Sequence, residues 1–142
     1  MAIYRCAACG GVNHATADAG VPAEACTRCR RPLDRSGQPQ DVDAAALVSA
    51  IRSSPAPVLV DFSDAPSVAL DGVARACAGE LVVLRVHPSS EPAAAAAYRI
   101  GPAPTLVLFF GGTEVARRAG RDPGDLTTWM ESAAAVRVGG GA

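Results

Sequence analysis

The chain has 142 residues, a length that suits one compact domain with at most a small appendage. Its formal net charge is −1, so no overall positive field favours nucleic acid, and all 13 basic residues are Arg, which excludes a catalytic lysine. No apolar stretch is long enough to span a membrane and the first residues lack a signal pattern, so we expect a cytoplasmic protein with no membrane or nucleic-acid partner.

The first 33 residues carry four cysteines in two C-x-x-C pairs, Cys6–Cys9 and Cys26–Cys29. One pair can turn two sulfurs toward a shared point, and two pairs complete the tetrahedral set that Zn²⁺ prefers. A cytoplasmic setting favours metal ligands over disulfides or free thiols, which are the alternatives. Because so short a segment has no core of its own, the sequence predicts a zinc ribbon over residues 1–33 that is folded by its metal.

Arginines flank both cysteine pairs, at Arg5, Arg28, Arg30 and Arg31. Four thiolates around Zn²⁺ carry a net negative charge, which these side chains can offset. The positive surplus of this segment therefore does not indicate a nucleic-acid-binding ribbon.

Residues 34–40 are polar with Gly and Pro and are predicted to form a linker to a domain over residues 41–135. That domain begins with a helix from residue 44, for which Asp43 is the predicted N-cap. The apolar run Val58–Phe62 then predicts a buried strand.

A second helix is predicted from apolar residues at helical spacing, namely Leu70, Val73, Ala74 and Cys77. The near-continuous apolar run Leu81–Val86 then predicts a strand that is covered on both faces. An Ala-rich helix follows over residues 91–100, started by Ser89 or Ser90.

The last predicted elements are a hairpin and a helix. Thr105–Phe110 predicts a strand that turns at Gly111–Gly112 into a strand from residue 113. An amphipathic helix from residue 122 closes the domain, and residues 136–142 are predicted to be a disordered tail. Strands that alternate with helices and end in a hairpin predict an α/β fold, with a mixed sheet flanked by helices.

These segments resemble the zinc-containing bacterial thioredoxins, which carry a four-cysteine ribbon before a thioredoxin domain. The similar stretches are "CAACGGVNH", "CTRC", "VLVDF", "YRIGPAPT" and "LVLFFGGTEVARRAG". The resemblance implies a thioredoxin-like fold with an N-terminal zinc ribbon, a Zn²⁺ cofactor, and a cis-proline at Pro104. It covers nearly the whole chain.

The chain departs from that family at its active site. The family has Trp-Cys-Gly-Pro-Cys between the central strand and the next helix, where this chain has residues 63–67 without a cysteine. Ser63 and Ser67 lack an adjacent base for nucleophilic catalysis. Cys77 is predicted to be a buried, unreactive thiol on an apolar helix face.

Asp61 matches the buried aspartate of the family, and Arg85 stands where the family often has a lysine on the neighbouring strand. A buried carboxylate needs a partner, and arginine cannot give up its proton as lysine can. We predict a structural ion pair between Asp61 and Arg85 that makes the aspartate a poor proton acceptor. The alternative is that Arg85 faces solvent and Asp61 is hydrated.

In the family, the backbone beside the cis-proline binds an extended substrate peptide. The resemblance therefore implies a peptide-binding segment at Ala103, Pro104 and Thr105. A cis-proline is also a turn that defines the fold, and it would persist without any ligand.

The sequence thus predicts a redox-degenerate thioredoxin-like protein that binds a protein or peptide partner rather than an enzyme. Two alternatives stay open: a thiol–disulfide oxidoreductase, as the family name implies, and a redox sensor in which the ribbon thiolates release zinc on oxidation.

Overall fold

The computed structural model describes residues 2–15, 25–33, 36–65, 68–101 and 104–119. The elements there are β1 (Ala2–Arg5), β2 (Val12–Ala15), β3 (Gln40–Asp41), α1 (Ala44–Ser53), β4 (Val58–Phe62), α2 (Val68–Ala76), β5 (Val82–Val86), α3 (Pro92–Ala97), β6 (Thr105–Phe110) and β7 (Thr113–Ala119). The predicted closing helix and tail lie outside the described residues. No helix in the described segments is long and apolar enough to cross a membrane.

The elements form two sheets. β1 and β2 pair as a separate antiparallel hairpin, and the other five strands form one sheet in the order β3-β5-β4-β6-β7. β3, β5 and β4 run parallel, whereas β6 and β7 are antiparallel to their neighbours. The predicted α/β fold with a mixed sheet is therefore confirmed.

Alternate side chains of β4 enter two different cores, as the pleat of a strand requires. Val58, Val60 and Phe62 pack with residues of α1 and α3. Leu59 packs on the opposite face with Leu70 and other residues of α2. Helices thus flank both faces of the sheet, and the apolar face predicted for the second helix is the one that packs.

Two of the predicted helix starts can be compared with the structure. α1 begins as expected, because Oδ1 of Asp43 accepts a hydrogen bond of 2.8 Å from its first turn. α3 begins at Pro92 rather than after Ser89 or Ser90, which corrects the sequence expectation. Proline suits a first helical turn because its missing N–H is not needed there, and the hydroxyl of Ser89 donates instead to Asp64 at 2.8 Å.

The β1–β2 hairpin lies against the β3 edge of the large sheet. β3 pairs with only two residues of β5, so the start of β5 has no neighbouring strand on that side within the described residues. The N–H of Ile3 donates to the carbonyl of Gly79 at 2.7 Å, and the Ile3 side chain packs against the core of α1 and α3. The side-chain amide of Gln40 donates to the carbonyl of Arg5 at 2.9 Å. The hairpin thereby covers an edge that would otherwise be open to unwanted pairing.

Gly37 and Gly72 offer a matched test of packing at α2. Gly37 has a φ of 79°, and a β-carbon there would overlap the carbonyl oxygen of Ala74, whereas Gly72 in mid-helix has open space. We expect Gly37→Ala to lower the free energy of unfolding by about 2 kcal/mol or more. Gly72→Ala should raise it by about 0.5–1 kcal/mol. Denaturant unfolding measures both, and a neutral Gly37→Ala would contradict the packing described here.

Candidate functional site

The two C-x-x-C segments form the same hydrogen-bonded turn. The N–H of Gly10 donates to the carbonyl of Cys6, the N–H of Cys6 donates to the carbonyl of Gly11, and the same two bonds recur around Cys26, all at 2.8 Å. The residue after each second cysteine has a positive φ, 77° at Gly10 and 65° at Arg30. This conformation suits glycine and strains arginine. Arg30 nevertheless adopts this conformation, and both turns therefore present their cysteines in the same way.

The four sulfur atoms of Cys6, Cys9, Cys26 and Cys29 all lie within 4.8 Å of one another. Two of these contacts join the two turns, at 3.7 Å between Cys6 and Cys29 and 3.6 Å between Cys9 and Cys26. Four sulfurs about 2.3 Å from a central Zn²⁺ would be separated by about 3.8 Å, whereas a disulfide joins its sulfurs at about 2.05 Å. The four cysteines are free thiols whose arrangement fits a tetrahedral metal ion such as zinc.

Backbone and side-chain N–H groups donate to these sulfurs. The N–H of Gly11 lies 3.3 Å from the sulfur of Cys9, and the N–H of Arg28 lies 3.4 Å from that of Cys26. Such bonds stabilise the thiolate form, which is the form that binds metal. The turns therefore supply both the spacing of the sulfurs and N–H donors directed at two of them.

Asn13 joins the two turns. Its side chain is buried, and its Nδ2 donates to the sulfur of Cys26 at 3.5 Å and to the carbonyl of Gly11 at 3.3 Å. Its Oδ1 accepts from the backbone N–H of Thr27 at 2.9 Å. In the sequence, Asn13 stood out only as part of the resemblance, because nothing local marks a polar residue that will be buried.

The pKa values of two of the thiols are shifted in opposite directions. The bond from Asn13 is the largest of the contributions that lower the pKa of Cys26 to about 6. The backbone bond at Arg31 lowers the pKa of Cys29, but burial and hydrogen bonds with the neighbouring sulfurs raise it overall to about 11. The surroundings therefore favour the thiolate form at Cys26 and the thiol form at Cys29.

Arg5 lies between the hairpin and the large sheet. Its Nη1 donates to the side-chain oxygen of Gln40 at 2.5 Å. Burial lowers the pKa of Arg5, and the negative charges of Cys6, Cys9 and Asp43 oppose that shift. The guanidinium of Arg5 therefore lies close enough to Cys6 and Cys9 for their negative charge to stabilise it.

The junction between β4 and α2 carries no thiol in its described residues. Ser63 is buried, and its hydroxyl donates to the carbonyl of Ala65 at 3.1 Å and accepts from its N–H at 3.2 Å. Ser67 lies outside the described residues. Cys77 follows the far end of α2, roughly 13 Å along the helix axis from its start. It packs against the α2 core as predicted, but it is only half-buried rather than buried, because it lies just beyond the last residue of the helix.

Asp61 and Arg85, the residues predicted to form a buried ion pair, lie directly opposite each other on β4 and β5. Nε of Arg85 is 3.4 Å from Oδ2 of Asp61, and the two side chains are 14% and 5% exposed. Nη2 of Arg85 is also 3.7 Å from a carboxylate oxygen of Asp71 on α2. The arginine therefore faces the α2 core rather than open solvent.

The comparisons with known proteins agree with this architecture. No protein-family model matches the sequence. Over 89 residues the chain is 37% identical to Thioredoxin 1 of Chlorobaculum tepidum, an alignment that covers 56% of this chain and 86% of that protein. The chain belongs to the thioredoxin family. A designed protein of known crystal structure matches its fold with a TM-score of 0.58 and 22% identity, over 67% of this chain and 96% of the other.

In this thioredoxin-family chain, a polar group stands at the sheet edge next to the β4–α2 junction. Nε2 of His87 is 2.9 Å from Oδ1 of Asp41, and its Nδ1 is 3.9 Å from Oδ1 of Asp64. The hydroxyl of Ser89 donates to the same atom of Asp64. Sequence reasoning missed this set because its members are far apart along the chain and follow no known motif. The contacts link β3, β5 and the loop after β4 at this edge.

The segment predicted to bind peptide is described only in part. Ala103 lies outside the described residues, as does the peptide bond that joins it to Pro104. Pro104 is partly exposed, and Thr105 is buried at the start of β6, where it pairs with Phe62. Peptide binding by this thioredoxin-family segment stays a prediction.

The ion pair can be tested with Arg85→Met, which removes the cation and keeps an unbranched apolar chain. We expect the free energy of unfolding to fall by about 3–5 kcal/mol, because Asp61 then stays buried without its cation. The double variant with Asp61→Asn should recover much of that loss. Arg75→Met, at an exposed position of α2, is the control. Denaturant unfolding of all four proteins decides, and an Arg85→Met variant as stable as the control would contradict a structural pair.

Proposed function

We propose that this chain is a zinc-ribbon member of the thioredoxin family that has lost dithiol chemistry and binds a protein or peptide partner. The observation that carries the proposal is the division of the cysteines. Four stand together in the ribbon with metal-like spacing, and the described residues of the β4–α2 junction have none.

Cys6, Cys9, Cys26 and Cys29 would hold the Zn²⁺. The bound ion would cross-link the two turns and so replace the hydrophobic core that a segment of this size lacks. Asn13 and the backbone N–H groups orient the sulfurs and offset part of their charge. With all four positions taken by sulfur, the site is of the closed, structural kind rather than the catalytic kind.

The surroundings of the junction also argue against thiol exchange. An attacking thiolate would have to stand between β4 and the start of α2. Residues 63–67 there contain no cysteine, and the hydroxyl of Ser63 donates to the carbonyl of Ala65. Arg85 beside Asp61 is a permanent cation, so this carboxylate is poorly suited to accept a proton during exchange. Cys77 lies beyond the far end of α2, and as a single thiol it cannot replace the missing pair.

Two surfaces could receive the partner, the ribbon and the segment of Ala103, Pro104 and Thr105. The net charge of −1 gives neither surface a general electrostatic attraction to nucleic acid. We expect the ribbon arginines to offset the negative charge of a zinc tetrathiolate rather than to bind phosphate.

The proposal predicts one Zn²⁺ per chain and no disulfide reductase activity. Elemental analysis of protein purified without chelator measures the first. Reduction of a disulfide-bonded protein substrate with a thiol donor measures the second, with an ordinary thioredoxin as the positive control. Turnover close to that of the control would overturn the proposal. Activity that appears only after chelation would assign the reaction to the freed ribbon thiols.

A zinc-thiolate redox sensor is the second candidate, and the short distances across the turns favour it. Peroxide would oxidise Cys6 with Cys29 and Cys9 with Cys26, each pair losing two electrons to one peroxide molecule, which takes up protons and leaves as water. We expect peroxide to release the zinc, a thiol reductant to restore binding, and mass spectrometry to find these two pairings. A Cys77→Ser variant should behave alike, and zinc retained under peroxide would exclude the sensor.

A further inference from the structure

Arg5 differs from the other arginines of the ribbon. Arg28, Arg30 and Arg31 are exposed, whereas Arg5 is half-buried. Its Nε atom is buried and has no hydrogen-bond partner in the described part of the chain. Removing a guanidinium from water is costly unless an opposite charge compensates it. The position of Arg5 therefore calls for a nearby negative charge.

The first cysteine turn supplies a candidate for that charge. A β-carbon on Gly10 would lie 3.2 Å from Nη2 of Arg5, so the guanidinium rests directly on the turn that holds Cys6 and Cys9. Four thiolates around a divalent ion keep a net negative charge, because the ion neutralises only part of it. A bound ion would also fix the position of the turn on which the guanidinium rests.

The same side chain reaches the large sheet. Nη1 of Arg5 donates to the side-chain oxygen of Gln40, and the amide of Gln40 donates back to the carbonyl of Arg5. Gln40 belongs to β3 and pairs with Leu84 of β5. The reciprocal pair thus connects the cysteine turn to the edge strand through two hydrogen bonds.

We propose that Arg5 is the counterion of the metal-loaded cluster and that it couples metal binding to the attachment of β3. The inference rests on the proposed zinc site. When the metal is bound, the charge of the cluster holds Arg5 in place and Arg5 holds Gln40. When the metal leaves, the turn on which Arg5 rests is no longer fixed by the ion, and the hairpin loosens from the edge. Thermodynamic reciprocity requires that loosening β3 weaken metal binding by the same factor.

Zinc affinity, measured by competition with a chromophoric chelator, tests the coupling. Arg5→Gln should weaken binding about tenfold or more. Arg31→Gln removes an exposed charge from the same ribbon and should weaken it about threefold or less. The side chain of Gln40 bonds to Arg5 rather than to the cysteines. Gln40→Ala should nevertheless weaken zinc binding as much as Arg5→Gln does, and combining the two substitutions should weaken it little further.

Amide hydrogen exchange gives an independent readout on the sheet. The N–H of Val42 donates to the carbonyl of Arg85 at 3.0 Å, next to β3. In the wild type, chelation of zinc should speed the exchange of the Val42 amide by the same factor by which Gln40→Ala weakens zinc binding. In the Arg5→Gln variant, chelation should change this exchange rate little.

The failures are distinguishable. A wild type that binds no zinc overturns the proposed function together with this inference. A wild type that binds zinc, with Arg5→Gln no weaker than Arg31→Gln or with exchange at Val42 unaffected by chelation, overturns the inference alone.

Discussion

The geometry of four sulfur atoms within 4.8 Å of one another governs the first part of this molecule. The β1–β2 hairpin has too few apolar side chains to fold by burial alone, and its cysteine turn is joined to the second cysteine turn by contacts between these sulfurs and by the hydrogen bonds of Asn13. An ion bound by the sulfurs would also fix β1, which carries Ile3 and Arg5 to the open edge of the large sheet. The cysteine cluster and the covering of the sheet edge are thus linked through one short strand.

The large sheet has its mixed strand order and a core on each face although residues 63–67 contain no cysteine. The packing of this sheet therefore does not depend on thiols at the β4–α2 junction. At the junction, Ser63 satisfies the backbone locally, and Arg85 gives Asp61 a partner that holds its charge. These arrangements suit a rigid scaffold better than a site whose protons must move. Under the proposed function, a partner binds to the protein surface, and among the described surfaces the ribbon has the most distinctive chemistry.

The sequence predicted the large features because they follow from local rules. The apolar run of β4, the Asp43 cap and the Gly111–Gly112 turn were each specified by nearby residues. β3 was missed because two polar residues carry no period, and its strand character comes only from β5. The neighbours of His87 and the contact of Arg5 with Gln40 were missed for the same reason, since both depend on how distant segments meet. Spacing identified the four ligands, but it could not show that one flanking arginine would be half-buried.

X-ray absorption at the zinc edge of the purified protein tests the central claim most directly. The account predicts a first shell of four sulfur atoms at about 2.3 Å and no lighter ligand. A shell containing nitrogen or oxygen would contradict it. So would protein without zinc in which the ribbon sulfurs are joined in pairs at about 2.05 Å.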